Sequence, residues 1–120
     1  MTKTWNNPPL IYNLFPRLAG TLDDLGEHID RAVDMGFDWL YLNPVFYPGF
    51  SGSVYAVKDF ARLDPVISPD GRDDHSLETL RPILEKARAA GLKPMVDLVI
   101  NHTAKDSDLV TTHPEWYCRD

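Results

Sequence analysis

Short apolar runs and amphipathic stretches alternate along the chain, and this alternation predicts strands and helices in turn. Three apolar runs are short enough for strands, at 10–15, 37–42 and 92–100. Between them, apolar residues recur at helical spacing over 22–33 and again over 77–87, which predicts two amphipathic helices. The resulting order, β-α-β-long loop-α-β, favours an α/β fold with a parallel sheet and right-handed crossovers.

The predicted helix ends are marked by residues with strong local preferences. Thr21 is a candidate N-cap for the first helix, because acidic residues follow it in the first turn, and Gly36 is placed to end that helix. Gly91 is placed to end the second helix in the same way. Pro82 does not suit a helix interior, because proline lacks the N–H and clashes with the preceding turn. Two alternatives stay open: the helix begins near Arg81, or the residues before it form a separate turn.

The last apolar run, 92–100, contains Asp97 and leads directly into Asn101 and His102. Its apolar residues occupy both faces, which predicts a strand buried on each side. A buried carboxylate is costly unless it is paired or hydrogen-bonded, so Asp97 requires a role. Side chains alternate along a strand, which places Asp97 and Asn101 on one face, about 13 Å apart in a fully extended chain. Parallel α/β folds place their chemistry at this C-terminal end of the strands.

Residues 45–75 show no periodicity but hold many prolines, glycines and aromatic residues. A connection of this length inside a compact domain is usually functional or disordered, and the aromatic content argues against disorder. We therefore expect an ordered loop that passes over a site. Residues 1–9 are expected to form a loose lead-in, and the chain from 101 onward is polar and irregular.

Charge and composition exclude some classes of partner. The 120 residues carry a formal net charge of −6 without a cluster of lysine or arginine, which argues against nucleic-acid binding and favours a neutral ligand over a polyanion. Cys118 is the one cysteine, so no intrachain disulfide can form, and we find no membrane span or secretory leader. We expect a cytoplasmic protein without a membrane anchor. Three parallel strands would leave two open sheet edges, so we expect the chain to be part of a longer fold.

Two motifs carry a resemblance to a known family. The first conserved motif of the α-amylase family (glycoside hydrolase family thirteen) is Asp-x-x-x-Asn-His at the end of the third barrel strand, and residues 95–102, MVDLVINH, resemble it. In the family segment before that motif a tyrosine is followed four residues on by an aspartate, as Tyr55 is followed by Asp59. The likeness continues over 36–44 and 113–116, so it covers nearly the whole chain in the family's order.

The resemblance implies a partial TIM (β/α)8 barrel, made of strands 1–3 with a long loop after strand 2. Residues 1–120 would be the N-terminal segment of the catalytic domain. Its parts would be the lead-in at 1–9, the β-α-β-loop-α-β unit at 10–100 and the start of the excursion after strand 3 at 101–120. A complete barrel of this kind needs about 250 residues.

The implied activity is retaining hydrolysis or transfer on an α-glucan, a malto-oligosaccharide or a small α-glucoside. Within the family the chain is more similar to the maltosyltransferase and trehalose-synthase-like branches than to the secreted amylases, although its Asn-His ending departs from the maltose-1-phosphate transferases. The catalytic carboxylates of the family lie on later strands. No residue of this segment is therefore assigned a catalytic role, and the chain alone is expected to be inactive.

The resemblance also implies roles for single side chains, each of which has an ordinary structural alternative. Tyr55 matches the tyrosine that stacks on the sugar ring, and His102 the histidine that hydrogen-bonds the same sugar; the alternatives are a loop-packing tyrosine and a structural histidine. Asp59 would join them in substrate binding, or else cap a loop. Asn101 provides a calcium ligand in many members, or else forms a turn, so calcium is the candidate cofactor. Asp97 is expected to orient neighbouring polar groups inside the barrel.

Two other classes of protein fit parts of the pattern. A non-catalytic α-amylase-like half-barrel could act as a binding or interaction module, with its sheet edges covered by a partner or by self-association. An unrelated α/β metal hydrolase would use Asp97 and His102, but Asn43 and Pro44 supply no ligand at the end of the second strand. Four further candidate ligands have no recognisable ligand spacing and are expected in solvated loops. They are His75, Asp106, Asp108 and His113.

Overall fold

The computed structural model describes residues 8–69 and 75–118, and most of these form strands, helices and short turns. In chain order the strands are β1 (Ile11–Leu14), β2 (Trp39–Leu42), β3 (Phe46–Pro48), β4 (Val57–Leu63) and β5 (Lys93–Val96), and the helices are α1 (Pro16–Ala19), α2 (Leu25–Asp34), α3 (Arg81–Ala89) and α4 (Leu109–Thr112). Single 3₁₀ turns occupy Leu22–Asp24, Leu77–Leu80 and Pro114–Trp116. Most of the predicted lead-in, at 1–7, lies outside the described residues.

The strands β1, β2 and β5 form one parallel sheet in the order β1-β2-β5. This confirms the parallel sheet predicted from the alternation of strands and helices. Leu14 pairs with Leu42, and Leu42 pairs with Val96, so the three strands end level with one another. The residues that follow or adjoin these ends therefore meet at one edge of the sheet.

The first predicted helix is present, but it begins later than its apolar pattern indicates. A 3₁₀ turn precedes α2, and the Asp24 carboxylate accepts the N–H of Thr21 at 2.7 Å. This hydrogen bond satisfies a backbone N–H at the start of the helix that has no partner within the helix. The inward face consists of Leu25, Ile29 and Ala32, all fully buried. The helix ends before Gly36, whose φ of +83° is a conformation that glycine adopts without strain.

Pro82 determines how the second helix begins. The separate 3₁₀ turn Leu77–Leu80 comes first, and α3 starts at Arg81, which places Pro82 in the first turn. A proline there costs no hydrogen bond, since the first N–H groups of a helix have no partner within it. Ser76 caps the 3₁₀ turn by accepting the N–H of Glu78 at 3.2 Å. Both alternatives left open by the sequence are therefore true at once.

The third strand is shorter than predicted, and the expectation of a strand buried over 92–100 is wrong. The strand β5 ends at Val96, and the last bond of its ladder runs from the Asp97 N–H to the Leu42 carbonyl at 2.8 Å. Because β2 ends at Leu42, the chain beyond has no partner strand on that side. Leu98 is 53% exposed and Ile100 79% exposed, so these apolar side chains do not enter the core of the described chain.

The stretch 45–75 is more regular than the aperiodic loop expected from its sequence. It contains β3 and β4, which pair antiparallel as a hairpin. The pairing shifts register on either side of Tyr47, which hides the two-residue period that normally reveals a strand. The Phe46 and Phe60 rings contact across the hairpin with centroids 5.7 Å apart. Residues 70–74 of this stretch lie outside the described residues.

The hydrophobic core lies between the parallel sheet and the helices α2 and α3, and one end of the hairpin joins it. Its fully buried members all carry apolar side chains. They include Leu22, Leu25, Ile29, Leu40, Leu42, Val45, Leu63 and Ile67. In the described part of the chain, β1 and β5 each pair on one side only, and no helix is long and apolar enough to cross a membrane.

Candidate functional site

Polar side chains converge where the three parallel strands end. The Asn13 side chain, on β1, donates to the Asn43 side-chain oxygen at 3.0 Å, and Asn43 follows β2 directly. Asn43 in turn donates to the Tyr55 hydroxyl at 2.9 Å. Tyr55 lies in the turn of the hairpin, so this chain of two hydrogen bonds fixes that turn to the edge of the sheet.

A second pair of groups lies at the same edge. Interaction of the Tyr41 hydroxyl with the Asp97 carboxylate, together with desolvation and a smaller contribution from Tyr55, raises the pKa of Tyr41 above its usual value of 10.0. Tyr41 therefore stays protonated and can donate to the carboxylate of Asp97. We call Asn13, Tyr41, Asn43, Tyr55 and Asp97 the strand-end cluster. Sequence reasoning found Tyr55 and Asp97 but missed the other three, although Asn13 and Asn43 are both polar residues at the ends of apolar runs.

The turn that carries Tyr55 is held by an ion pair that the sequence pattern does not reveal. Arg17 Nε lies 2.6 Å from a carboxylate oxygen of Asp64, whose side chain is fully buried, and Arg17 Nη1 donates to the Gly52 carbonyl at 2.6 Å. Gly52 has a φ of +73°, a conformation that glycine adopts without the strain that a side chain would cause. In the sequence Asp64 is visible only as an acidic residue between Leu63 and a proline, at the end of an apolar stretch. Its partner, Arg17, lies 47 residues earlier in the chain.

His102 lies in a separate groove of about 510 Å³, formed between the segment after β5 and the hairpin. The Asn101 side-chain nitrogen is 3.3 Å from His102 Nδ1. On another part of the wall, the Thr103 and Tyr117 hydroxyls are 2.9 Å apart. The groove is thus lined by imidazole, amide, hydroxyl and aromatic groups, the set that recognises neutral polar ligands.

Asp59 lies within strand β4 rather than in a loop, opposite Tyr47 in the register of the hairpin. One of its carboxylate oxygens accepts the N–H of Ala61 at 2.8 Å. It lines a smaller cavity of about 300 Å³ together with Asp108 and Leu109. The local hydrogen bond agrees with a capping role for the carboxylate, whereas its place in a strand differs from the sequence expectation.

The described residues do not form a metal-binding cluster. No three histidine, cysteine, aspartate or glutamate side chains among residues 8–69 and 75–118 are placed to hold one ion, so calcium stays a prediction that rests on Asn101. Asp106, expected in a solvated loop, instead accepts the N–H of Phe50 at 3.2 Å and pairs with Lys58 at 3.4 Å. That expectation is wrong for Asp106, because its loop packs on the hairpin turn.

A family model described as the glucanotransferase domain of glycogen debranching enzyme matches residues 9–118. The crystal structure of an α-amylase from Lactobacillus plantarum superposes with a TM-score of 0.79 at 32% identity, covering 93% of this chain and 27% of that one. An α-1,4-glucan:maltose-1-phosphate maltosyltransferase from Burkholderia pseudomallei is 30% identical over 88% of this chain and 11% of its own length. An oligo-1,6-glucosidase from Heyndrickxia coagulans is 25% identical over 88% of this chain and 19% of its own length.

The parallel sheet with its helices superposes on part of the α/β barrel of the α-amylase, which defines the class of fold. The match over 9–118 is more specific. This chain belongs to the α-amylase family of glycoside hydrolases and corresponds to its N-terminal region. It spans about a fifth of the length of the oligo-1,6-glucosidase it resembles.

Proposed function

We propose that this chain is the N-terminal part of a retaining glycosidase or transglycosylase that acts on α-glucans, malto-oligosaccharides or small α-glucosides. The observation that carries the proposal is the placement of Tyr55. The residue is 41% exposed while its hydroxyl accepts a hydrogen bond from Asn43 at the C-terminal edge of the sheet. A ring held at its polar end offers a face to the apolar C–H surface of a pyranose.

The other side chains have supporting roles in this proposal. His102, exposed in its groove, would hydrogen-bond the hydroxyls of the bound sugar. Asp97 would act through Tyr41, by fixing the phenol beside Tyr55. Asp59 would contact the substrate from β4, and Asn101 would support the loop that carries His102, with or without calcium.

The chemical step would use groups that this segment does not supply. A retaining mechanism needs two carboxyl groups about 5–5.5 Å apart, one as nucleophile and one as acid and base. At the strand-end edge the Asp97 carboxylate is engaged by Tyr41, and we assign it neither role. We place the catalytic carboxylates on later strands of a (β/α)8 barrel of about 250 residues, in which this chain provides strands one to three.

A binding titration tests the sugar-stacking role of Tyr55. We expect Tyr55→Ala to weaken maltotriose binding by about tenfold, the equivalent of about 1.4 kcal/mol, because the stacking face is lost. Tyr55→Phe is the matched control, since it keeps the ring and removes only the hydroxyl that Asn43 binds. Equal affinities for the wild type and Tyr55→Ala would contradict the role. A native-length wild-type protein that binds no α-glucan would refute the proposed function.

A second function, an interaction module without catalysis, is favoured by the open sheet edges. Within the described residues β1 and β5 pair on one side only, and Ile11, on β1, is 48% exposed. Measuring the intact mass of the native protein from its source distinguishes the two. A mass several-fold above 13.6 kDa supports the barrel enzyme, whereas a mass near that value supports the module.

We further propose that the enzyme works in cytoplasmic glucan or trehalose metabolism, close to the maltosyltransferase-like branch. The amino-acid pattern over 47–59, which runs from β3 through the turn into β4, supports this branch, and two similar proteins are named as maltosyltransferases. Fractionation of the source cells tests the location. Recovery of the native protein in the secreted fraction would contradict it.

A further inference from the structure

The 3₁₀ turn at the end of the described chain presents an unusually flat and supported aromatic ring. The rings of Trp116 and His113 stack with centroids 4.0 Å apart and planes 6° apart. His113 Nδ1 lies 3.2 Å from a carboxylate oxygen of Glu115, which limits rotation of the imidazole. One indole face is thus occupied by His113, yet the Trp116 residue remains 64% exposed.

This exposed tryptophan lines the same groove as His102. The groove volume, about 510 Å³, falls in the range of about 300–1,000 Å³ that is usual for small-ligand sites. Hydroxyl-bearing residues line the same groove as the indole: Thr103 and Tyr117 are both lining residues, and their hydroxyls lie 2.9 Å apart. An aromatic face flanked by hydroxyl and imidazole groups suits a ligand with one apolar face and a rim of hydroxyls, which describes a pyranose.

The proposed sugar contacts do not use Trp116, and within the described residues most of its surface is not packed against other side chains. Burial of a tryptophan side chain contributes strongly to stability, whereas this one leaves most of its surface in solvent. The chain has a net charge of −6, and a carboxylate, that of Glu115, lies next to the stack. A neutral ligand therefore fits this surface better than an anionic one.

We propose that Trp116, held flat by His113, is a second stacking surface for a glucosyl unit, placed next to the unit that His102 contacts. This inference rests on the proposed function and extends it: the chain would bind at least two consecutive sugars. The site would consequently discriminate by length, because a monosaccharide can occupy one of the two positions but not both.

The test compares ligands of different length on the native-length protein that contains this segment, by NMR or calorimetric titration. The ligands are methyl α-glucoside, maltose and maltotriose. We expect Trp116→Ala to lower maltotriose affinity about tenfold and methyl α-glucoside affinity less than about twofold. Trp116→Phe keeps a smaller ring and should lie between, and His113→Ala should weaken maltotriose binding because the indole loses its support.

Phe50→Ala is the matched control, since Phe50 is also an exposed aromatic residue, at 76%, but does not line the groove. It should bind maltotriose as the wild type does. If Trp116→Ala leaves maltotriose affinity unchanged while Tyr55→Ala lowers it, the inference is wrong and the proposed function stands. If the wild-type native-length protein binds none of the three sugars, both fail.

Two further measurements guard against a structural explanation. Thermal unfolding of Trp116→Ala should match the wild type, because the replaced side chain is mostly exposed, and a marked loss of stability would show that the ring packs in solution. Size-exclusion chromatography should give the same elution volume for both. A dimer that dissociates on substitution of Trp116 would show that a second copy covers the ring, and would overturn the inference.

Discussion

Removing the Asp64 carboxylate should be among the most damaging single changes in the described chain. Its side chain is fully buried, and its two oxygens accept separate hydrogen bonds, from Arg17 at 2.6 Å and from the Val66 N–H at 3.1 Å. Asp64→Ala would leave the guanidinium of Arg17 and one backbone N–H without these acceptors. Breaking a buried ion pair by removing one partner costs about 3–5 kcal/mol, because the remaining charge is left uncompensated.

The structure places the expected loss at the lower end of that range. The Arg17 side chain keeps 24% of its surface exposed and also donates to the Gly52 carbonyl, so water and this second acceptor compensate part of the loss. We expect Asp64→Ala to destabilise the fold by about 3 kcal/mol. With a urea m-value of about 1–3 kcal/mol/M, the midpoint of unfolding would fall by about 1–3 M.

Two variants make the measurement interpretable. Asp64→Asn keeps the shape and one oxygen, which can accept from either Arg17 or Val66 but not from both, so it should lie between Asp64→Ala and the wild type. Glu78→Gln is the control for an exposed pair, since Glu78 and Arg81 are 72% and 63% exposed, and it should cost less than about 1 kcal/mol. If Asp64→Ala and Glu78→Gln lower the urea midpoint equally, the argument from burial is refuted.

Two other changes follow from close contacts and from a shifted pKa. Gly49→Ala should destabilise the fold by about 1–3 kcal/mol, because the new methyl would collide with Asp106. Gly26→Ala, in helix α2, would meet only the flexible end of a lysine and should be neutral or stabilising by up to about 1 kcal/mol. Urea unfolding of both variants checks the contrast. The pKa of Tyr41 is raised because of its interaction with Asp97, so the contribution of this contact to stability is complete below the ordinary tyrosine pKa and is lost as pH rises through the higher folded-state pKa. Asp97→Asn should lower the Tyr41 pKa. A near-ultraviolet pH titration measures this, with Tyr41→Phe identifying the tyrosinate signal of Tyr41; an unchanged titration midpoint in Asp97→Asn would contradict the prediction.

Local sequence signals predicted those elements whose hydrogen bonds are local or whose apolar face is regular. Helices α2 and α3 were predictable because apolar residues recur at helical spacing and because glycines end both helices. Even the awkward Pro82 gave the correct pair of alternatives, since its missing N–H is tolerated only in the first turn. The parallel order of the sheet followed from the alternation of these elements.

The hairpin and the ion pair were not predictable in the same way. Register shifts on both sides of Tyr47 interrupt the alternation that identifies a strand, so β3 and β4 resemble a loop in sequence. Arg17 and Asp64 are 47 residues apart, and their contact depends on how the hairpin packs against the first helical turn. No pattern within a short window encodes that packing.

The early end of β5 explains why the candidate site has two parts. A strand continuing to Ile100, as its apolar residues suggested, would have kept the following polar residues along the sheet edge with the strand-end cluster. Instead the chain leaves the sheet after Val96, and the next segment is tied to the hairpin: the Ala104 N–H donates to the Val57 carbonyl and the Ser107 hydroxyl to the Lys58 carbonyl, each at 2.8 Å. This path forms the His102 groove against β4. Tyr55 and His102 are therefore presented by two different supports, a hairpin turn fixed to the sheet and a loop fixed to the hairpin, and a ligand that contacts both must bridge them.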